Sequence, residues 1–337
     1  MRVADIGEFP LIERLGQIIA TERPDLLVGL GDDVAVLALP GDELLLATID
    51  IQIERVHFLP DLITPEQLGA RALAINLSDI AAMGGQPWFA LVSLALPEAT
   101  EVAWLERLYR GMRAAADRFG VAVVGGNISR ARAEIAVDVA LLGRIRREQL
   151  LTRAGAQPGD RVLVTGHLGE AAAGLQLARH PEFAPDPSDR DHLLGRYLAP
   201  TPRVPEAILI AGQRQATAMI DLSDGLSSDI GHICEQSRVG VRIWTAELPI
   251  PPAVRQIAGR LNQPAWQLAL AGGDDYELCF TAPAAVADEL AALVARETGT
   301  PVTIVGEILP AEHGHRLLPA DGQELPLEAA GWQHFRQ

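Results

Sequence analysis

Five short acidic clusters punctuate the chain: Gly31-Asp32-Asp33, Thr48-Ile49-Asp50, Asn76-Leu77-Ser78-Asp79, Asp221-Leu222-Ser223-Asp224-Gly225 and Gly272-Gly273-Asp274-Asp275-Tyr276-Glu277. Each adjoins an apolar run or a glycine turn, where a fold can aim carboxylates at a common point and hold magnesium together with phosphate. Taken singly, Asp32, Asp33 and Asp50 fit ordinary turn chemistry, because aspartate is favoured where strands begin and end. Taken together they fit it less well. Two carboxylates about 4 Å apart repel by roughly 1 to 4 kcal/mol depending on the local dielectric, and several in one place need cations. Ser223 or Asp224 serves equally well as a helix cap, but a cap accounts for one polar residue and not three. Gly225 lets backbone approach a phosphate at a helix N-terminus. Gly125-Gly126-Asn127, after a buried strand pattern, is a weaker turn of the same kind.

Composition narrows what such a site can be. The 337 residues are 48% hydrophobic and 21% charged, enough for two ordinary domains with their own cores. The net charge of -16 argues against nucleic-acid and anionic-membrane partners, which require a basic footprint. All 28 basic residues are arginine. A lysine-free chain cannot carry a Walker A lysine, a pyridoxal Schiff base or a kinase-type strand lysine, so any nucleotide must be held by metal, arginine and backbone amides. Cys234 and Cys279 are too few for a disulfide framework and read as buried thiols. There is no stretch of eighteen apolar residues and no signal-peptide layout, so the expected location is the cytoplasm. Gly29-Leu30-Gly31 only begins a dinucleotide fingerprint, since Val34 stands where its third glycine belongs. His57 reads equally as a core-edge histidine, and Gly-x-Ser-x-Gly is absent.

The pattern also predicts the elements that must carry these residues. Asp33–Leu39 and Glu43–Ile49 read as strands joined by a Pro40-Gly41-Asp42 turn, leaving Asp32, Asp33 and Asp50 at strand ends. A helix opens at Thr64-Pro65-Glu66-Gln67, a capping box with proline in the first turn, and closes at Gly84-Gly85. Asp79 lies well inside it, on a face shared with Leu68, Ala72 and Ile75, and the helix is apolar nearly all round. An aspartate there needs a partner: a metal ion, or a backbone amide or arginine. Strands follow at Leu91–Leu96, Val121–Val124 and Ile135–Leu142, with an amphipathic helix at Glu101–Phe119 between the first two. A turn-rich stretch from Thr152 to Asp160 precedes a new strand, Arg161–Thr165, and places the domain boundary at about residue 148. The segment His180–Asp191 reads as a surface loop. Beyond it, strands at Ala216–Ile220, Val241–Trp244 and Thr303–Ile308 alternate with helices at Ser227–Ser237 and Ala284–Glu297.

These motifs, in this order and over almost the whole length, resemble the thiamine-monophosphate kinase family of the aminoimidazole ribonucleotide synthetase-like superfamily. The most specific are Ala74-Ile75-Asn76-Leu77-Ser78-Asp79-Ile80-Ala81-Ala82-Met83-Gly84 and Ile220–Leu226 read together. The resemblance implies a mixed α/β (α+β) fold of two domains, residues 1–148 binding ATP and metal and forming a homodimer, residues 149–337 completing the substrate cleft. It implies transfer of the ATP γ-phosphoryl group to thiamine monophosphate with several Mg²⁺ ions. By similarity Asp33, Thr48, Asp50, Asp79 and Asp221 would ligate magnesium, Asp224 a further ion, and Ile49 only through its carbonyl. Tyr109, Gly126, Asn127, Arg153 and Ser223 would contact ATP, and His57, Asp274 and Trp332 the thiamine phosphate. Asp50, Asp79 and Asp221 would matter most, with no side-chain acid or base needed.

Three positions depart from the family pattern. Asn127-Ile128 stands where Asp-Thr is usual, Ile49 where Thr or Ser is common, and Asp274 where Glu is usual. Asn127 still offers a carbonyl oxygen in the metal shell but removes a unit of negative charge. Two alternatives therefore stand beside the kinase: another ATP-dependent enzyme of the superfamily, and a nucleotide-binding paralogue impaired in catalysis. Selenophosphate synthetase-like chemistry would need a reactive N-terminal cysteine or selenocysteine with a lysine. The hydrogenase-maturation relative needs a C-terminal cysteine, whereas this chain ends Trp332-Gln333-His334-Phe335-Arg336-Gln337.

Overall fold

Alternation of buried and exposed residues along Glu43–Ile53 sets the first half of the fold, with Leu44, Leu46 and Gln52 turned inward and Ile49 and Ile51 outward. In the computed structural model, which describes residues 3–5, 7–183 and 186–331, this long strand, β3, is near the centre of a six-stranded sheet. Its companions are β1 (Leu26–Val28), β2 (Ala35–Ala38), β4 (Gln86–Leu96), β5 (Ala122–Arg130) and β6 (Ala136–Arg146), in the order β1-β2-β3-β6-β4-β5. Within this sheet, among the described residues, only β4 and β5 pair in parallel, the connection being a helix.

Helix α1 spans Glu8–Ile19, and α2 (Pro65–Ala82) begins where its capping box predicts. Thr64 Oγ1 accepts the Gln67 N–H at 3.2 Å and Gln67 Oε1 accepts the Thr64 N–H at 2.9 Å, satisfying two orphan donors of the first turn. Fourteen of its residues are buried, because it lies between the inner face of the first sheet, α3 (Val102–Phe119) and the second half of the chain.

The second half builds a seven-stranded sheet from β7 (Asp160–Thr165), β8 (Ala218–Asp221), β9 (Gly240–Trp244), β10 (Leu278–Pro283), β11 (Val302–Leu309), β12 (His315–Leu318) and β13 (Leu325–Pro326). Their order is β13-β12-β9-β11-β7-β10-β8. The helices are α4 (Glu170–Arg179), α5 (Pro187–Leu198), α6 (Val204–Gln213), α7 (Leu226–Ser237), α8 (Pro252–Arg260), α9 (Ala265–Ala271) and α10 (Ala284–Thr298). Period-two alternation divides this sheet between two cores. Leu163, Met219 and Phe280 join the core that also holds α2 and the first sheet, while Val162, Val164, Ile220 and Cys279 join one under α7, α8 and α9. The first core thus runs across both sheets and fixes one half against the other.

One stretch differs from its reading as a loop. Pro181–Phe183 is a turn of 3₁₀ helix, and Asp186 then caps α5, its side chain accepting the Asp189 N–H at 2.9 Å with Pro187 in the first turn. The proline and aspartate that suggest a loop are the start signals of a helix. Cys234 and Cys279 are buried free thiols.

Candidate active site

Four of the five acidic motifs converge where α2 passes between the sheets. β3 delivers Thr48 and Asp50 on its inner face, α2 delivers Ser78 and Asp79, the end of β8 delivers Asp221, and the segment before β2 delivers Asp32 and Asp33. Thr48 Oγ1 donates to Asp79 Oδ2 at 2.6 Å, and Ser78 Oγ donates to Asp221 Oδ2 at 2.6 Å. Arg153 binds the Asp33 carboxylate through Nη2 and donates its backbone N–H to Asp32 Oδ2 at 3.2 Å. The other oxygen of Asp33, Oδ2, is buried with no hydrogen-bond partner.

Electrostatics records the convergence. Burial pushes Asp79 well above the ordinary carboxylate range, and the charges of Asp50, Asp221 and Asp33 push it further. Asp221, only 2% exposed, rises to about 8 through burial and the charge of Asp33. Asp33 is raised by burial despite Arg153, and Asp50 rises to about 6 through loss of solvent and then Asp138. Asp224 rises to about 6 through burial, Glu8 and Asp274. Carboxylates that hinder one another's ionisation in this way suit a hard cation. Among the described residues no three His, Cys, Asp or Glu side chains gather tightly enough to cage an ion unaided. Magnesium does not ask for that, since it keeps waters and takes one or two carboxylates with substrate phosphates. The unpartnered Asp33 Oδ2 is a lone pair available for such an ion.

A stability consequence follows. These acids are harder to ionise in the folded chain than in the unfolded one, so the folded state holds more protons above the ordinary carboxylate range. Their contribution is fully present below the unfolded value and is lost as pH rises through about 6 for Asp50 and Asp224 and about 8 for Asp221. The melting temperature without divalent ions is therefore expected to fall from about pH 5 to about pH 9, and added Mg²⁺ to restore more at the upper end. Thermal melts with and without chelator check this, and a Mg²⁺ effect that is independent of pH would contradict it.

The fourth and fifth motifs are paired by backbone. Asp274 and Tyr276 donate their N–H groups to the carbonyls of Ser223 and Leu222 at 2.8 and 2.9 Å, and Leu222 donates to Glu277 O at 2.8 Å. The approach is close enough that a Cβ on Gly273 would lie 2.6 Å from Ser223 O, and Gly225 has φ +113. Asp229, missed in the sequence, accepts the Gly225 N–H at 3.0 Å and steadies this turn at the start of α7. Its position four residues after Gly225, the N-cap of α7, was the available signal.

Beside the acidic cluster opens a cleft of about 1040 Å³, lined by Asp50, Asp79, Ser223, Asp224, His57 and Asp274 among others. His57 Nδ1 accepts the Ile53 N–H at 3.0 Å, which leaves the proton of the neutral ring on Nε2. Arg71 and Tyr197, also unflagged in the sequence, line the same cleft. Other candidates stand apart. Gly126 lies in the cross-strand row Asp50, Val139, Val92, Gly126, three strand spacings or roughly 14 Å from β3. Asn127 belongs to the next row, with Ile51, Asp138 and Ser93, and so faces the opposite side of the sheet from Asp50; its Nδ2 donates to Ser129 Oγ at 3.3 Å. Ile49 points to that side as well and can offer the cluster only its backbone. Tyr109 is exposed on α3, and Trp332 lies outside the described residues.

Family models for AIR synthase related protein match the chain twice, the N-terminal domain over residues 31–145 and the C-terminal domain over residues 157–317. The thiamine-monophosphate kinase of Escherichia coli (strain K12) is 36% identical over 329 residues, covering 98% of each chain. The chain belongs to the thiamine-monophosphate kinase family. A solved thiamine-monophosphate kinase from Stenotrophomonas maltophilia K279a is 39% identical, with a TM-score of 0.76 over 94% of this chain and 97% of that one. A solved structure described as AaThiL complexed with AMPPCP and TMP is 35% identical, with a TM-score of 0.85 over 99% of both chains. Membership in the thiamine-monophosphate kinase family accounts for the two-domain mixed fold. No helix among the described residues is long and apolar enough to cross a membrane.

Proposed function

We propose that this chain transfers the γ-phosphoryl group of ATP to the phosphate of thiamine monophosphate, giving thiamine diphosphate and ADP, by direct in-line transfer without a phosphoenzyme. The observation that carries the reading is the mutual perturbation of Asp33, Asp50, Asp79 and Asp221 at the edge of a cleft, in a chain aligned end to end with kinases of that name. Divalent ions bound there would offset the repulsion between two phosphate-bearing anions and template their alignment.

The remaining work falls to the chain's own groups. The acceptor phosphate oxygen is already ionised at neutral pH, so no general base is required and positioning dominates. Arg153, anchored on Asp33, is the cation nearest the acidic cluster and is placed to turn towards the nucleotide phosphates, with Ser223 at the start of α7. His57, on the wall of the cleft, contacts the substrate phosphate, and Asp274 takes the other end of thiamine monophosphate. The domain boundary is taken at about residue 148, in the stretch between the end of β6 at Arg146 and the start of β7 at Asp160, and the expected compartment is the cytoplasm. Incubating the purified protein with ATP, Mg²⁺ and thiamine monophosphate and separating the products by chromatography tests the reading. Thiamine diphosphate is expected; ATP binding without product would instead favour a catalytically impaired paralogue, the reading that Asn127 and Ile49 suggest.

The partner is a second copy of the chain, seated on the open face and free edge of the first sheet. Among the described residues no helix covers that face, which exposes Ile49 (64%) and Leu91, while the edge strand β5 exposes Val124 and, on its other face, Ile128 (67%). Asn127 stands on this side of the molecule, away from its own cleft, so a second copy is what would bring it to a nucleotide. Leu91→Asp is expected to convert a dimer into a monomer in sedimentation velocity, and an unchanged sedimentation coefficient would contradict this arrangement.

A further inference from the structure

Arg71 is 4% exposed yet lines the cleft, and it makes three hydrogen bonds to three separate parts of the chain. Nε donates to Gln52 Oε1 at 3.1 Å on β3, Nη1 to Tyr197 O at 2.7 Å on α5, and Nη2 to Asp274 Oδ2 at 2.8 Å. The Tyr197 ring lies 5.8 Å from the guanidinium carbon. All of these partners hold the fork in one orientation, which a flexible point charge would not adopt as firmly.

Position on the helix gives this pair its meaning. Arg71, Ile75 and Asp79 are four residues apart, so they form a stripe along α2, and all three line the cleft. Eight residues at the helical rise separate the two charged ends by roughly 12 Å. The cleft therefore has an acidic, phosphate-handling end at Asp79 and a distinct end at Arg71 and Asp274. Thiamine monophosphate has the matching layout, a phosphate at one end and a 4-aminopyrimidine ring at the other.

Asp274 itself is held in an unusual posture. Its φ is +68 and that of Tyr276 is +48, a left-handed conformation that non-glycine residues adopt only under constraint from their surroundings. Its N–H is tied to Ser223 O, one carboxylate oxygen is taken by Arg71, and its side chain remains 31% exposed to the cleft.

We propose that Arg71 is a positioning residue that fixes the Asp274 carboxylate to accept the exocyclic amine of the substrate's pyrimidine, so that the pair selects a 4-amino ring over a 4-oxo ring. An acceptor-only carboxylate welcomes an N–H donor and repels a carbonyl oxygen. This inference rests on the thiamine-monophosphate kinase reading above and adds the residue that makes the site selective.

The test compares thiamine monophosphate with its 4-oxo analogue in the wild type, Arg71→Met, Arg71→Lys and Asp274→Asn. Wild type is expected to favour the amino compound in kcat/KM. Arg71→Met should raise KM for thiamine monophosphate roughly 10- to 100-fold, the loss of a charge-assisted hydrogen bond, and leave KM for ATP within about twofold. Arg71→Lys should recover part of the loss through its charge. Asp274→Asn, which preserves shape and folding if Arg71→Met does not fold, offers an amide donor and should shift preference towards the 4-oxo analogue. An unchanged amino-to-oxo ratio in Asp274→Asn, or an equal rise in both substrates' KM in Arg71→Met, would make Arg71 a structural brace only. Failure of the wild type to form thiamine diphosphate would instead remove the proposed function, so the two failures are distinguishable.

Discussion

Replacing Asp79 with asparagine is expected to lower the rate of phosphoryl transfer by roughly 10²- to 10³-fold, the usual cost of removing one preorganised electrostatic group, while raising the melting temperature of the metal-free protein. Both effects have one cause. Burial and three neighbouring carboxylates make the charged form of Asp79 unfavourable, and the 2.6 Å hydrogen bond from Thr48 offsets this in part. Asparagine keeps the shape and an oxygen for Thr48 to donate to, and removes the charge. Function and stability therefore pull in opposite directions here, as they do wherever a site stores repulsion for a ligand to relieve. Turnover and thermal melts of the same variant, at about pH 8 and with chelator, check both halves. A variant that is slower but no more stable would mean that Asp79 is not strained by its neighbours.

Glu277→Ala is expected to have the opposite sign and to cost about 3 to 5 kcal/mol of stability, a large share of what a folded chain possesses. Glu277 is 0% exposed, but unlike Asp79 it is fully compensated. Arg203 Nε reaches Oε2 at 2.6 Å, Arg196 Nη2 reaches Oε1 at 2.7 Å, and Thr165 Oγ1 donates to Oε2 at 2.7 Å. Truncation would take from two largely buried guanidinium groups the carboxylate they share, leaving Arg196 with Glu170 and Arg203 with the more distant Glu206, and would loosen the backbone link from Leu222 N to Glu277 O, which holds the Asp221 turn. The midpoint of urea unfolding should fall, and saturating Mg²⁺ should not restore it, because the defect lies outside the acidic cluster. A midpoint unchanged from wild type would show that the three donors find other partners.

The contrast between these two carboxylates explains how far the sequence could be read. The capping box at Thr64-Pro65-Gln67 and the all-round apolar character of α2 are local signals, so the burial of that helix and the demand of Asp79 for a partner are legible without coordinates. The convergence of Asp33, Asp50 and Asp221 was not legible in this way: Asp221 ends β8 as its motif suggests, but Asp50, expected at a strand end, lies inside β3, which runs on to Ile53. Facing direction on an edge strand is not local. Asn127 turns away from Asp50 because of the register of β5 on β4 and of β4 on β6, which only tertiary pairing sets. Arg71 was equally hidden, its partners being 126 residues away at Tyr197 and 203 residues away at Asp274. Nothing in a lone arginine on an apolar helix reveals such partners. At Asp186-Pro187 the signal was present, and composition masked it, since the residues that cap α5 are those that also build loops.

The carboxylates that crowd Asp79 are expected to serve a metal-dependent transfer from one phosphate to another. The most direct measurement follows the γ-phosphate of labelled ATP in the presence of thiamine monophosphate while Mg²⁺ is titrated from chelator upward. Label is predicted to appear in thiamine diphosphate, to depend on Mg²⁺, and never to reside on the protein. Label released as inorganic phosphate, trapped on the chain, or transferred at full rate in chelator would contradict it.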